Sequence, residues 1–190
     1  MKVLVLSDRE SSLYGGLDIR SQVRAAVAEA GSEADIIDVK GDEINPCLGC
    51  FHCWVKTPGL CIQTSDCANA VAGKEIRSDV VIFLSKITYG GYSYDMKSFL
   101  DRSIPNLSPF FEIVKGEMHH KMRYERFPYM ITIGNGACTE QERKTFIELT
   151  ERNARNMRPP KYFMYTVQDA EDAAGVMRSL KNVLSREAFV

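Results

Sequence analysis

Five short apolar runs, separated by stretches of helical periodicity, constrain this chain more than any other feature. They fall at 3–6, 34–39, 80–84, 129–133 and 162–167. The strongest is Val80-Val-Ile-Phe-Leu84, continuously apolar as a strand covered on both faces must be. Between the runs, apolar residues fall on single stripes. Ile19, Val23, Ala26, Val27 and Ala30 follow the first run at spacings of 4, 3, 1 and 3, and Gly31 ends the pattern. Further helices are expected over about 65–77, 94–102, 140–157 and 169–186. Strand and helix in alternation imply right-handed crossovers, hence a parallel sheet with helices on both faces. For five strands the expected order is 2-1-3-4-5, an α/β three-layer sandwich. Ligands in such sheets bind beyond the carboxyl ends of the strands, where the strand order reverses. That reversal lies between the first and third strands and singles out loops 7–17, 85–93 and 134–138.

The 190 residues suit one domain, here taken as 1–190. With 45% hydrophobic and 26% charged residues the composition is that of a soluble globular protein. A net charge of -1 gives no general attraction to nucleic acid or an anionic membrane. The four-residue run at 3–6 is too short for a signal-peptide core, and no segment reaches the length of a membrane span. A cytoplasmic location is therefore the default expectation. The segment at about 104–126 contains two prolines, one glycine and the polar string from Glu117 to Arg126. It is expected to be an irregular insertion or lid. His119, His120 and Arg123 could bind an anionic donor there, or simply face solvent.

Five of the six cysteines lie in one loop at 45–67, four of them as Cys47-x2-Cys50-x2-Cys53-x7-Cys61, with Cys67 at its end. In a reducing compartment these are thiols, metal ligands or a transient redox pair rather than a disulfide framework. Three readings stay open: a four-iron four-sulfur cluster, cluster-free thiols, or zinc. Two-residue gaps on both sides of Cys50 are unusual for a tetrahedral zinc site. His52 and Cys67 are spare ligands. Cys138, after the fourth strand, is either near a ligand edge or a small buried residue. The cysteine loop follows the second strand and is expected on the same rim as the three ligand loops.

The first of those loops, Ser7-Asp-Arg-Glu-Ser-Ser-Leu-Tyr-Gly-Gly16, offers hydroxyls, an arginine and helix N–H groups, which suit a terminal phosphate. It is neither a Walker loop nor G-x-G-x-x-G, and Asp8 and Glu10 count against an anion. A plain strand-to-helix turn is the alternative. The second loop, Ser85-Lys-Ile-Thr88-Tyr89-Gly90-Gly91-Tyr92-Ser93, lets backbone approach a flat ligand at the glycines. A glycine-rich turn with partly buried tyrosines would look the same.

Three blocks give the chain a more specific likeness. They are the cysteine array from Cys47 through Gly59 and Cys61, the strand and loop from Asp79 to Gly91, and Lys97-x-Phe99-x-Asp101-Arg102. In order and spacing they resemble the NAD(P)H-dependent FMN reductases and iron–sulfur flavoproteins of the flavodoxin-like fold. The motifs cover roughly 45–103, and the strand order extends the likeness over most of the chain. The resemblance implies FMN as cofactor, NAD(P)H as co-substrate, a small-molecule or protein acceptor, and a homodimer or homotetramer. It implies Ser7, Arg9, Ser11 and Ser12 at the phosphate, and Thr88, Tyr89, Gly90, Gly91 and Ser93 at the isoalloxazine. Asn135, Gly136 and Ala137 would line the third side through backbone groups; Cys47, Cys50, Cys53 and Cys61 could ligate a cluster as in the iron–sulfur members, though cluster-free relatives keep similar cysteines. No acid–base triad is expected, since the hydride chemistry is the cofactor's. The chain departs from the family at Lys86, often proline, at Thr88, often aromatic, and in keeping only part of Ser-x-Arg-x-x-Ser, through Ser7, Arg9 and Ser12. Two rival expectations stand beside the reductase: an FMN electron carrier, with or without a cluster, and a flavodoxin-like binding module without turnover.

Overall fold

The computed structural model describes residues 1–11 and 13–185. In chain order the elements are β1 (Lys2–Asp8), a small hairpin of β2 (Leu13–Tyr14) and β3 (Leu17–Asp18), α1 (Ile19–Glu29), β4 (Glu33–Val39), α2 (His52–Val55), α3 (Ala68–Arg77), β5 (Val80–Lys86), α4 (Tyr94–Arg102), β6 (Leu107–Val114), β7 (Glu117–Met122), β8 (Tyr129–Asn135), α5 (Glu140–Met157), β9 (Tyr162–Val167) and α6 (Ala170–Leu184). The main sheet is parallel throughout, in the order β4-β1-β5-β8-β9. Counting only these five strands, that is the expected 2-1-3-4-5 order of the flavodoxin-like fold.

Alternate side chains of the central strands enter opposite layers, as the two-residue period of a strand requires. Val3, Val5, Ile82, Leu84 and Ile131 pack under α1 and α6 with Val23, Val27, Met177 and Leu180. Leu4, Leu6, Val81, Phe83 and Met130 pack on the other face with Val71, Met96, Phe99 and Phe146 from α3, α4 and α5. Both faces of β1 and β5 are therefore covered, which explains their unbroken apolar runs. Helix starts are fixed by local chemistry. Thr139 and Glu142 form a reciprocal capping box on α5. Asp18, Ser93 and Asp169 cap α1, α4 and α6 with side-chain oxygens. Arg186, the expected end of the last helix, lies outside the described residues.

The segment at 104–126 corrects the expectation of an irregular lid. β6 and β7 pair antiparallel as a hairpin. Lys115 and Gly116 turn it with φ of 51° and 85°, the two positive angles of a type I′ turn. Its alternation is masked because little of it reaches the core, and Phe110, Phe111, Ile113 and Met118 are exposed. Nor does it overhang the ligand loops. His120 stacks on Phe111 and on Trp54 of α2, and its Nδ1 meets the Ser108 carbonyl at 2.7 Å. His119 pairs with Glu117, and Arg123 donates to the Leu107 carbonyl. Among the described residues no helix is long and apolar enough to cross a membrane.

Candidate functional site

The three loops beyond β1, β5 and β8 do converge: Asp8 joins the first two, and Asn135 ties in the third. Asp8 ends β1 and is 1% exposed. Its carboxylate accepts the backbone N–H of Ser11 at 2.6 Å and of Lys86 at 2.9 Å. It also accepts the hydroxyls of Ser85, at 3.1 Å, and of Ser93. Two backbone donors and two hydroxyls make an anion nest, and the anion seated in it is this side chain. Further bonds close the rim. Asn135 Nδ2 donates to the Ser11 carbonyl at 2.6 Å, the Ile87 N–H donates to the Asn135 carbonyl, and Lys86 pairs with Glu10. Asn135 Oδ1 is buried with no partner among the described residues.

The expected phosphate residues divide. Ser7 and Ser11 are buried in this network, with Ser11 Oγ donating to the Leu84 carbonyl at 2.9 Å. Arg9 is turned aside into ion pairs with Asp95 and Asp42. Asp95 first and Asp42 second raise its pKa further above the ordinary arginine value. Burial works against the charge of Asp95, but Arg9 and the Gly41 N–H outweigh it and hold its carboxyl below the usual range. Ser12 lies outside the described residues.

The expected ring residues also divide. Thr88 and Tyr89 stand exposed at the rim, Tyr89 at 93%, and Ala137 is exposed opposite them. Thr88 and Gly91 exchange backbone hydrogen bonds across a tight turn. A Cβ on Gly91 would meet only ordinary contacts, at 3.5 Å and beyond. Gly90 serves the fold instead: with φ of +75°, its Cβ would lie 2.9 Å from Thr145 Cβ of α5. Gly136, φ +110°, backs onto Lys86. Ser93 caps α4 while holding Asp8.

The four cysteines share one place. Cys47, Cys50, Cys53 and Cys61 line a cavity of about 210 Å³ with Leu48, Phe51 and Arg102. Burial first, then the neighbouring Cys61, Cys47 and Cys50, push the Cys53 thiol up. Arg102 is 1% exposed and binds Asp66 through both guanidinium NH2 groups, at 2.6 and 3.2 Å. It also donates to the Asn45 and Gln63 carbonyls, pinning both sides of the cysteine loop. Burial opposes the Asp66 charge, yet Arg102 and the N–H groups of Asn45 and Ala68 keep its carboxyl below the ordinary value. Among the described residues, no three His, Cys, Asp or Glu side chains are grouped as ligands of a single metal ion. Cys67 precedes α3 away from the cavity, and Cys138 sits on the far loop, where Gln168 donates to its sulfur.

The cavity's position corrects a second expectation. It adjoins Asp101, Arg102 and Ile104, at the carboxyl end of α4, whereas the ligand loops meet at Ser93, its amino end. Nine residues of helix separate the two, about 12 Å. The chain after β4 runs back along α4 instead of remaining on the rim. Sequence reasoning missed the roles of Asp8, Asp66 and Arg102. None stood out in the sequence, since Asp8 precedes Arg9 and Glu10, Asp66 follows the polar Gln63-Thr-Ser65, and Arg102 follows Asp101.

No protein-family model matches the chain. In sequence it is 36% identical over 80 residues to an iron–sulfur flavoprotein of Methanocaldococcus jannaschii. That match spans 42% of this chain and 40% of the relative, well short of the relative's whole length. In structure the chain is similar to an azoreductase from Bacillus anthracis, with a TM-score of 0.69 at 10% identity over 97% of this chain and 99% of the other. It is also similar to an FMN-dependent NADH-azoreductase of that organism, solved with FMN, with a TM-score of 0.62 at 9% identity over 98% of both chains. The structural likenesses agree with the flavodoxin-like fold, and the partial sequence match agrees with the resemblance to iron–sulfur flavoproteins over that part of the chain.

Proposed function

We propose that this chain, similar to the flavodoxin-like FMN reductases and iron–sulfur flavoproteins, is an NAD(P)H-dependent FMN oxidoreductase. The observation that carries the reading is the convergence of the β1, β5 and β8 loops on an anion nest at the strand-order reversal, with an open rim beside it. The ring end suits a flavin, with Thr88, Tyr89 and Ala137 exposed around it, while the donors at the β1 end are held by Asp8. Bound FMN would supply hydride transfer between the nicotinamide and an acceptor. The chain's own part is to orient. Tyr89, held at φ 50°, presents an aromatic face, and the Thr88–Gly91 turn presents backbone edges. The Asp8 and Asn135 bonds fix the spacing of the three loops. Consumption of NADH or NADPH with a quinone acceptor is expected to be faster with FMN-loaded protein than with the same amount of free FMN. Equal rates would reject the enzyme reading.

The cysteine cavity favours a second reading, an electron-transfer protein in which a four-iron four-sulfur cluster accompanies FMN. Cys47, Cys50, Cys53 and Cys61 would hold the cluster, with the Arg102 cation beside it. Anaerobic reconstitution with iron and sulfide is expected to load wild-type protein and not Cys50→Ser. Equal iron uptake by both would reject the cluster.

A further inference from the structure

We infer that Asp8 is an internal competitor for the flavin phosphate, so that this site gains no affinity for FMN over riboflavin. The inference rests on the flavin reading above and specifies what the site selects. The nest at the end of β1 has the donors a phosphate would use: the N–H groups of Ser11 and Lys86 and the hydroxyls of Ser85 and Ser93. All four bond the Asp8 carboxylate, which is 1% exposed. A phosphate could take these donors only by expelling one anion to seat another, an exchange of like for like. The cations nearby are engaged as well. Arg9 is bound by Asp95 and Asp42, and Lys86 by Glu10. A phosphate approaching this loop therefore meets the carboxylates of Asp8, Glu10, Asp42 and Asp95 beside cations that they already hold. Burying a second anion beside the first without a new counter-charge is unfavourable. A ribityl chain ending in a hydroxyl meets no such penalty. Asp8 is then a specificity-determining residue, acting on the tail of the ligand and not on its ring.

Flavin-fluorescence titrations of the full chain test this without turnover. In wild type the dissociation constants for FMN and riboflavin are expected to agree within about tenfold. This comparison needs no variant to fold. Asp8→Asn, which removes the charge, and Asp8→Ser, which vacates the donors, are each expected to tighten FMN by about tenfold or more. The readout is the ratio of the two constants, which should move toward FMN by that factor, with far-UV circular dichroism as the check of folding. Wild-type FMN binding more than about tenfold tighter than riboflavin would overturn the inference. So would folded variants whose ratio of FMN to riboflavin affinity stays at the wild-type value. Failure of both flavins to bind wild type and both variants would instead overturn the flavin reading itself, and this inference with it.

Discussion

Gly90 and Gly91 are adjacent, yet they are glycine for different reasons. A side chain on Gly90 would run into Thr145, whereas one on Gly91 would make ordinary contacts with the Thr88 carbonyl and Leu149. Gly90→Ala is therefore expected to destabilise the fold by about 1–3 kcal/mol, from overpacking and the positive φ together. Gly91→Val should leave stability near wild type and weaken FMN. Urea melts and FMN titrations of the two variants check this; the reverse pattern would put Gly90, not Gly91, against the ligand. The glycine pair was legible in the sequence as a close-approach signal, but its division of labour was not, because it depends on α5, more than fifty residues on. Asp8 was legible only as an objection to a phosphate. That its carboxylate would tie the β1 loop to the β5 loop depends on residues 77 to 85 positions away. Arg102 is the other buried charge with a structural task. Arg102→Met would leave Asp66 without its partner, at a cost of about 3–5 kcal/mol in urea unfolding. A change under about 1 kcal/mol would show the pair to be dispensable.

At the scale of elements, α3 carries a titration that can be read in stability. Glu75 is fully buried, with Asn106 donating to one oxygen at 2.9 Å and the other unpartnered. Burial pushes its carboxyl up to about 8 against the weaker pull of Asn106. The folded protein thus holds a proton that the unfolded chain releases near the ordinary value of 4.5. The resulting stability is fully present below that ordinary value and is lost as pH rises through the folded one. The slope between them should approach about 1.4 kcal/mol per pH unit at most. Glu75→Gln should flatten the slope and be relatively more stable at alkaline pH. An unchanged slope in urea melts across that window would mean that Glu75 does not titrate there. The β6–β7 hairpin is where element-level reading failed. Its Lys115-Gly116 turn was present in the sequence, but strands with little buried face lack the alternation that announces a strand. The main-sheet strands, buried on both sides, announced themselves fully.

For the whole molecule, alternation of strand and helix sufficed to predict the sheet order, since parallel crossovers leave few topologies. It also predicted which loops meet, because they follow from the order reversal. It could not locate the cysteine cavity, whose distance from the rim is set by how the chain after β4 returns along α4. The molecule thus carries two candidate redox sites joined by one helix. The central claim is that the rim site binds FMN and lets it accept hydride from a nicotinamide. Anaerobic rapid mixing of FMN-loaded protein with NADH or NADPH tests it most directly. The account predicts complete, single-turnover loss of the yellow flavin absorbance, faster than that of free FMN under the same conditions, and diminished by Gly91→Val. Bound flavin that stays yellow with both nicotinamides, yet is reduced by dithionite, would contradict it.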